Sequence, residues 1–220
     1  MGLDTSTRPT IQGLRVAASV CRACPLWQRA TQTVFGVGRA RAALVLVGEQ
    51  PGDEEDRQGL PFVGPAGRLL DEALTAAQIE RAQTYLTNAV KHFKWKLAEA
   101  RGKRRLHERP NANEVRACRP WLLAEIEAIG PKVIVCLGAT AARSLLGNDF
   151  RVTKQRGEVI TLGSGPSVVA TVHPSAILRA PDHDTRVRDM RRFVADLAVA
   201  RALLSPTVRR TEQLRPTVKR

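Results

Sequence analysis

Two runs of this chain, ALVLVG at 43–48 and KVIVCLG at 132–138, are apolar at nearly every position and break at glycine. Such runs fit strands buried on both faces, the kind found in parallel sheets whose crossovers are helices. The intervening sequence supplies those crossovers. Residues 10–24 read as a helix leading into a cysteine pair. In GPAGRLLDEALTAAQI, Leu69, Leu70, Leu74 and Ile79 fall largely on one helical face. TYLTNAVKHF is a second strand candidate, and ANEVRACRPWLLAEIEAIG a helix beginning near Asn113. After KVIVCLGAT comes a short helix through Leu146, then the strands EVITL and SVVATVHP, then a long helix from near Asp184. This alternation predicts one α/β sandwich with a single core, spanning 10–204. A flexible segment 1–9 precedes it, a basic insertion 91–109 interrupts it, and a basic, disordered tail 205–220 follows. There is no internal repeat. Ligands of such sheets gather beyond the carboxyl ends of the strands, where GEQPGD, TNAVKHF and TVHPSAIL fall.

Charge narrows the partner. The 220 residues carry a formal net charge of +14, with a pI of about 10.9, which points to a polyanion, most often nucleic acid. An acidic membrane surface is the competing partner, but no apolar run approaches the ~20 residues that span a bilayer. The N-terminus lacks the order of a signal peptide. MGLDTS matches the loose myristoylation pattern without a second membrane signal. A soluble, cytoplasmic monomer is expected.

The four cysteines are Cys21, Cys24, Cys118 and Cys136. Without an export signal a disulfide framework is not expected. Cys21-Arg-Ala-Cys24 has metal-ligand or redox spacing, whereas Cys136, inside an apolar strand, reads by itself as a buried core thiol. Spacing alone leaves a four-cysteine site open and does not separate zinc from iron–sulfur.

The strand ends carry the other candidates. GEQPGDEED exposes Glu49 and Gln50 at a sharp turn; the bland reading is an acidic loop capping the next element. It is no P-loop, because GxxxxGK[ST] is absent. Phe62 lies between proline and glycine residues, a position suited either to stacking on a base or to burial under the loop. Asn88 can read a base edge with one acceptor and two donors, or simply close a turn. His173, before Pro174, is by itself most often a turn residue. In GKRRLHERP a histidine, His107, sits among four cations, and a loop that only grips phosphates needs no imidazole.

Taken in order, CRAC, GEQPGDEED, GLPFVGPAGRLLD, TNAVKHF, two further cysteines and HPSAIL resemble the uracil-DNA glycosylase superfamily, most closely its iron–sulfur (family 4) branch. The resemblance runs from about Cys21 to Leu178. It departs from the ordinary branch at Gln50, where alanine is typical, and at the basic loop Lys103–His107. Both departures resemble the UdgX group, whose loop typically reads KRRIH. The implied fold is a three-layer α/β/α sandwich around a mostly parallel four-stranded sheet.

The resemblance also implies chemistry. The substrate would be uracil-containing DNA and the released product uracil, with the nucleotide flipped out or single-stranded. Phe62 would stack on the uracil, Asn88 would read its polar edge, and His173 would stabilise the departing anion. Gly48, Gln50 and Ser175 would belong to the same pocket. Arg179, Lys103, Arg104 and Arg105 would grip the DNA backbone. His107 would capture C1′ of the sugar, with Glu49 orienting its ring. Cys21, Cys24, Cys118 and Cys136 would hold a 4Fe–4S cluster. An ordinary multiple-turnover glycosylase and a non-enzymatic DNA-binding protein are the alternatives.

Overall fold

A computed structural model describes residues 10–98, 105–161 and 163–205. Lys103, Arg104, the N-terminal segment and all of the tail beyond Ser205 lie outside the described residues.

The sheet is built from β1 (Val37–Gly38), β2 (Leu44–Gly48), β3 (Thr84–Asn88), β6 (Val133–Leu137), β7 (Val159–Thr161) and β8 (Ser167–Thr171). Its order is β1-β3-β2-β6-β8-β7. The inner four strands are parallel, while β1 and β7 pair antiparallel at the edges. The expected four-stranded sheet is therefore its parallel centre, extended to six strands by two short edges. Those edges limit the unpaired backbone that a parallel sheet would otherwise expose.

Period-two alternation divides the core. Leu44 and Leu46 point to one face, where α3 (Pro65–Ala76) and α8 (His183–Ala202) supply Leu69, Leu70, Leu74, Phe193 and Leu197. Val45 and Val47 point to the other, against Leu122 and Ile129 of α4 (Ala112–Ile129) and Ala141 of α5 (Ala139–Leu146). Helix α1 (Ile11–Ser19) packs on α4. The outcome is the expected three-layer α/β/α sandwich.

Local chemistry sets several boundaries. The acidic run DEEDRQ, expected as a loop, forms a short helix, α2 (Asp53–Gln58). Glu55 caps it by accepting from Gly52 N at 3.0 Å and from Gly64 N at 2.8 Å. Strand β3 stops at Asn88 rather than running through Phe93. Lys91, His92 and Phe93 then turn inward and are buried. Among the described residues of the basic insertion, β4 (Trp95–Leu97) and β5 (Arg105–His107) form an antiparallel ribbon separate from the main sheet, with Trp95 opposite His107. The helices α6 (Val152–Gln155) and α7 (Pro174–Leu178) complete the chain.

The interior also holds a charged pair. Lys91 Nζ contacts Glu125 Oε2 where both side chains are 1% exposed. Glu125 further accepts from Gly36 N at 3.0 Å, Tyr85 Oη at 2.8 Å and Thr87 Oγ1 at 2.9 Å. Lys91 Nζ also donates to Thr87 Oγ1 and to the carbonyl of Asn88, each at 2.7 Å. Such saturation with partners is what allows two charges to sit in a core.

Candidate active site

The carboxyl ends of the parallel strands converge as the topology requires. Gly48 ends β2 and Glu49 follows it; Asn88 ends β3; His173 follows β8 and N-caps α7. Gly48 has a specific reason to be glycine: a β-carbon there would collide with Asn88 Oδ1 and the Phe62 ring. Phe62 holds a backbone φ of +58°, rare for a bulky residue and the kind of strain that functional sites retain. Its carbonyl is fixed by Arg81 Nη2 at 3.1 Å. The same backbone leaves no room for a β-carbon at Gly67. The Phe62 and His173 rings lie near-parallel at 26°, with centroids 6.3 Å apart.

The protonation of His173 follows from its neighbours. Burial pushes its pKa down to about 4, and the nearby His107 and Arg179 push the same way. Its Nδ1 accepts the Ser175 amide at 3.1 Å and lies 2.8 Å from Ser175 Oγ. A nitrogen that accepts an amide N–H has no proton of its own. The neutral ring therefore carries its proton on Nε2, available to donate.

His107 enters this site on the ribbon. Arg105 and His107 are two residues apart on β5 and share a face, so what anchors one aims the other. Arg105 pairs with Asp53 and, at 2.6 Å, with Asp56 Oδ2, and its guanidinium lies against the Phe93 and Trp95 rings. Its side chain is 12% exposed. Two carboxylates occupy the guanidinium expected to meet phosphate, and it serves here as an anchor for the ribbon. Gln50 is likewise engaged within the protein. Its Nε2 donates to the carbonyls of Lys94 at 3.1 Å and Glu108 at 3.0 Å, and its Oε1 accepts from Lys94 N at 3.2 Å. The carboxamide binds both chains at the base of the ribbon, where Glu108 N also donates to Lys94 O at 3.0 Å. Lys94, also in the basic insertion, pairs with Glu114 at 3.2 Å.

So held, His107 presents Nε2 at 3.6 Å from Glu49 Oε1, with its side chain half exposed. Partial burial lowers its pKa below the usual 6.5; Glu49 pulls it up and Arg179 pushes it down. Glu49 is itself positioned by the Thr140 hydroxyl and by Arg109 Nε at 3.6 Å. Arg179, exposed at the end of α7, acts on both imidazoles. The arrangement offers one neutral imidazole donor, one imidazole beside a carboxylate, a planar aromatic surface and a carboxamide.

Residues 35–198 match the family described as the Uracil DNA glycosylase superfamily. The chain belongs to that superfamily. It is 41% identical to the type-4 uracil-DNA glycosylase of Thermotoga maritima over 177 residues, covering 80% of this chain and 84% of that one. It is 38% identical to the type-4 enzyme of Archaeoglobus fulgidus over 169 residues, covering 73% and 79%. A type-5 uracil-DNA glycosylase of Pyrobaculum aerophilum is 39% identical over 71 residues, covering 31% of each chain.

In this superfamily member the cysteines divide three to one. Cys21, Cys24 and Cys118 line one small recess between the turn after α1 and helix α4. Two of the sulfurs accept N–H donors: Cys21 from Trp121 Nε1 and Cys118 from Lys91 N, both at 3.2 Å. Cys136 is elsewhere. It is fully buried between the sheet and α5, and burial pushes its thiol up to about 12. It thus lies apart from the recess that the other three share, and its apolar surroundings fit an inert core thiol. The fourth potential ligand on the recess is His92, whose Nε2 lies 2.9 Å from Thr33 Oγ1. Among the described residues no three such side chains converge tightly enough to form a ready-made metal site, so a bound group would have to draw them together.

The sequence reading passed over Thr140, Arg109, Asp53, Asp56 and His92. A signal existed for the aspartates, whose i,i+3 spacing puts both on one side of a helical turn. His92 was hidden by counting cysteines alone.

Proposed function

We propose that this chain excises uracil from DNA and is then captured on the abasic sugar through His107. The observation that carries the reading is the placement of His107, fixed through Arg105 and Gln50 with Nε2 toward Glu49, in the opening that also holds Phe62, Asn88 and His173. The relatives' type-4 names support the excision half.

Uracil stacks on Phe62 while Asn88 reads its polar edge. As the C1′–N1 bond breaks, its electron pair moves onto the base, and the Nε2–H of His173 stabilises the growing anion. The sugar is left as an oxocarbenium-like electrophile. One nitrogen of neutral His107 gives its lone pair to C1′, and the other passes its proton to the Glu49 carboxylate. The product is a neutral N-alkyl imidazole, a poor leaving group, so the adduct persists. Proximity favours the histidine over water, because well-oriented internal groups reach effective molarities of roughly 10⁵ M or more.

A denaturing gel after mixing the protein with a uracil oligonucleotide, beside a thymine control, tests this. A protein–DNA band that survives detergent and heat with uracil alone is expected; free abasic product without that band would leave an ordinary glycosylase.

Acid separates the two halves of the reaction. The His107 pKa is lowered below 6.5, so the nucleophilic neutral ring dominates at pH 7 and is lost as pH falls through that depressed value. The ratio of adduct to freely released uracil, measured from pH 7.5 to 5, is expected to fall in acid. A ratio that rises in acid would exclude His107 as the nucleophile.

The same reading gives the chain a 4Fe–4S cluster held by Cys21, Cys24 and Cys118, with His92 as fourth ligand. The cluster supplies a covalent tie between the turn after α1 and α4, and no step of the reaction passes through it. Substituting alanine at Cys21, Cys118 or His92 is expected to diminish the visible absorption band of the purified protein, whereas Cys136→Ala leaves it intact. Loss of the band in Cys136→Ala would restore the four-cysteine set.

A further inference from the structure

Next to the active site, a cleft of about 830 Å³ runs between the N-terminal half of α4 and the C-terminal half of α5. Four arginines line it, Arg109, Arg116, Arg119 and Arg143, and no acidic residue does. This contrasts with the ribbon side of the site, where Arg105 and Lys94 are paired to carboxylates. Among the described residues Arg116, Arg119 and Arg143 have no carboxylate partner. Arg119 Nε donates to Ser144 O at 2.8 Å, and Arg143 Nε contacts Phe150 O at 3.4 Å. These bonds fix the two stems and leave their terminal nitrogens free for an anion. Arg116 meets only the Asn113 carboxamide on its own helix. Leu145 and Leu146 add apolar surface to the same walls.

The cleft is continuous with the reaction centre. Arg109 belongs to both: its Nε lies 3.6 Å from Glu49 Oε2, and its Nη2 donates to Thr140 Oγ1 at 3.3 Å. Thr140 also lines the cleft. A polyanion lying along α4 and α5 would thus reach the site beside Glu49. The arginines of α8 lack this arrangement, because that helix covers the opposite face of the sheet.

We propose that this cleft is the track for the DNA strand on one side of the uracil, its phosphodiesters bound by Arg116, Arg119 and Arg143 and its sugars resting on the leucines. The proposal rests on uracil excision, though not on capture by His107. The track makes recognition asymmetric: nucleotides on one flank of the uracil strengthen binding, and those on the other do not.

Single-turnover uracil release from single-stranded oligonucleotides extended on the 5′ side only, the 3′ side only or both sides tests it. In the wild type, extension on one flank alone should raise the second-order rate, and added salt should erase that gain. Replacing Arg116 and Arg143 together by glutamine should remove about tenfold or more of the gain. It should flatten the salt dependence by about 1.4 in log–log slope, two contacts at roughly 0.7 each on a single strand. The shortest oligonucleotide, which does not reach the cleft, should release its uracil as before. Equal benefit from both flanks, or equal slowing of short and long substrates, would overturn the track. So would an unchanged double variant, which would assign the cleft to another partner. Absence of uracil release by the wild type on every oligonucleotide would instead refute the excision reading itself.

Discussion

His107→Ser is expected to form no covalent adduct while continuing to release uracil, now through many turnovers per protein. Serine removes the imidazole lone pair and opens space beside C1′ that water can fill. The leaving-group side is untouched, because Asn88 and His173 owe their positions to β3 and β8, and Phe62 to the turn before α3 and to Arg81, not to the ribbon. A denaturing gel and a uracil-release assay with excess substrate read the two outcomes separately. Glu49→Gln should slow capture by roughly 10²-fold or more, the usual range for losing a proton acceptor. If His107→Ser neither cross-links nor releases uracil while unfolding at the wild-type midpoint, His107 is needed for excision and the division of labour is wrong.

The second large effect is thermodynamic. Glu125→Ala is expected to cost about 3–5 kcal/mol of folding stability, the range for breaking a buried ion pair. That is a large share of the ~5–15 kcal/mol that holds a typical domain together. The loss strands the Lys91 ammonium in the core and removes the acceptor of Gly36 N, Tyr85 Oη and Thr87 Oγ1. Urea unfolding at neutral pH would show it as a lowered midpoint at unchanged slope. The double change Lys91→Met, Glu125→Leu should recover much of the loss, because an apolar pair of similar volume replaces the charges. Function should suffer before unfolding does. Lys91 holds the Asn88 carbonyl through Nζ and the Cys118 sulfur through its backbone amide, so one residue ties the end of β3 to the cysteine recess. An unchanged midpoint in Glu125→Ala would show that the pair contributes little.

How much of this was legible in the chain depends on the range of each interaction. The parallel strands could be read because burial on both faces writes itself as local apolar runs. The positions of Asn88 and His173 followed, since each stands where such a run ends. Phe62 could be placed near the site but not in its strained backbone, which depends on Gly48 and Gly67 giving way. The partners of Arg105 and Gln50 were not legible for one shared reason. A cation in a basic stretch and an amide in a turn look ready for DNA until partners some 50 residues away, Asp53, Asp56 and Glu108, are brought beside them. The separation of Cys136 from the other thiols was not legible because spacing records residue type and not depth. Edge strands as short as Val37–Gly38 leave no pattern to detect.

The ribbon carrying His107 shares no backbone ladder with the six-stranded sheet and is fastened by side chains. Its opening is therefore a local equilibrium with a free energy of its own, separate from that of global unfolding. Weakening Gln50 or Arg105 would change how often His107 is in place without changing how well the rest of the site is built. If His107 captures the sugar as proposed, excision and capture would be governed by two independent quantities, and selection or engineering could tune the fraction of events that end in a bond without rebuilding the domain.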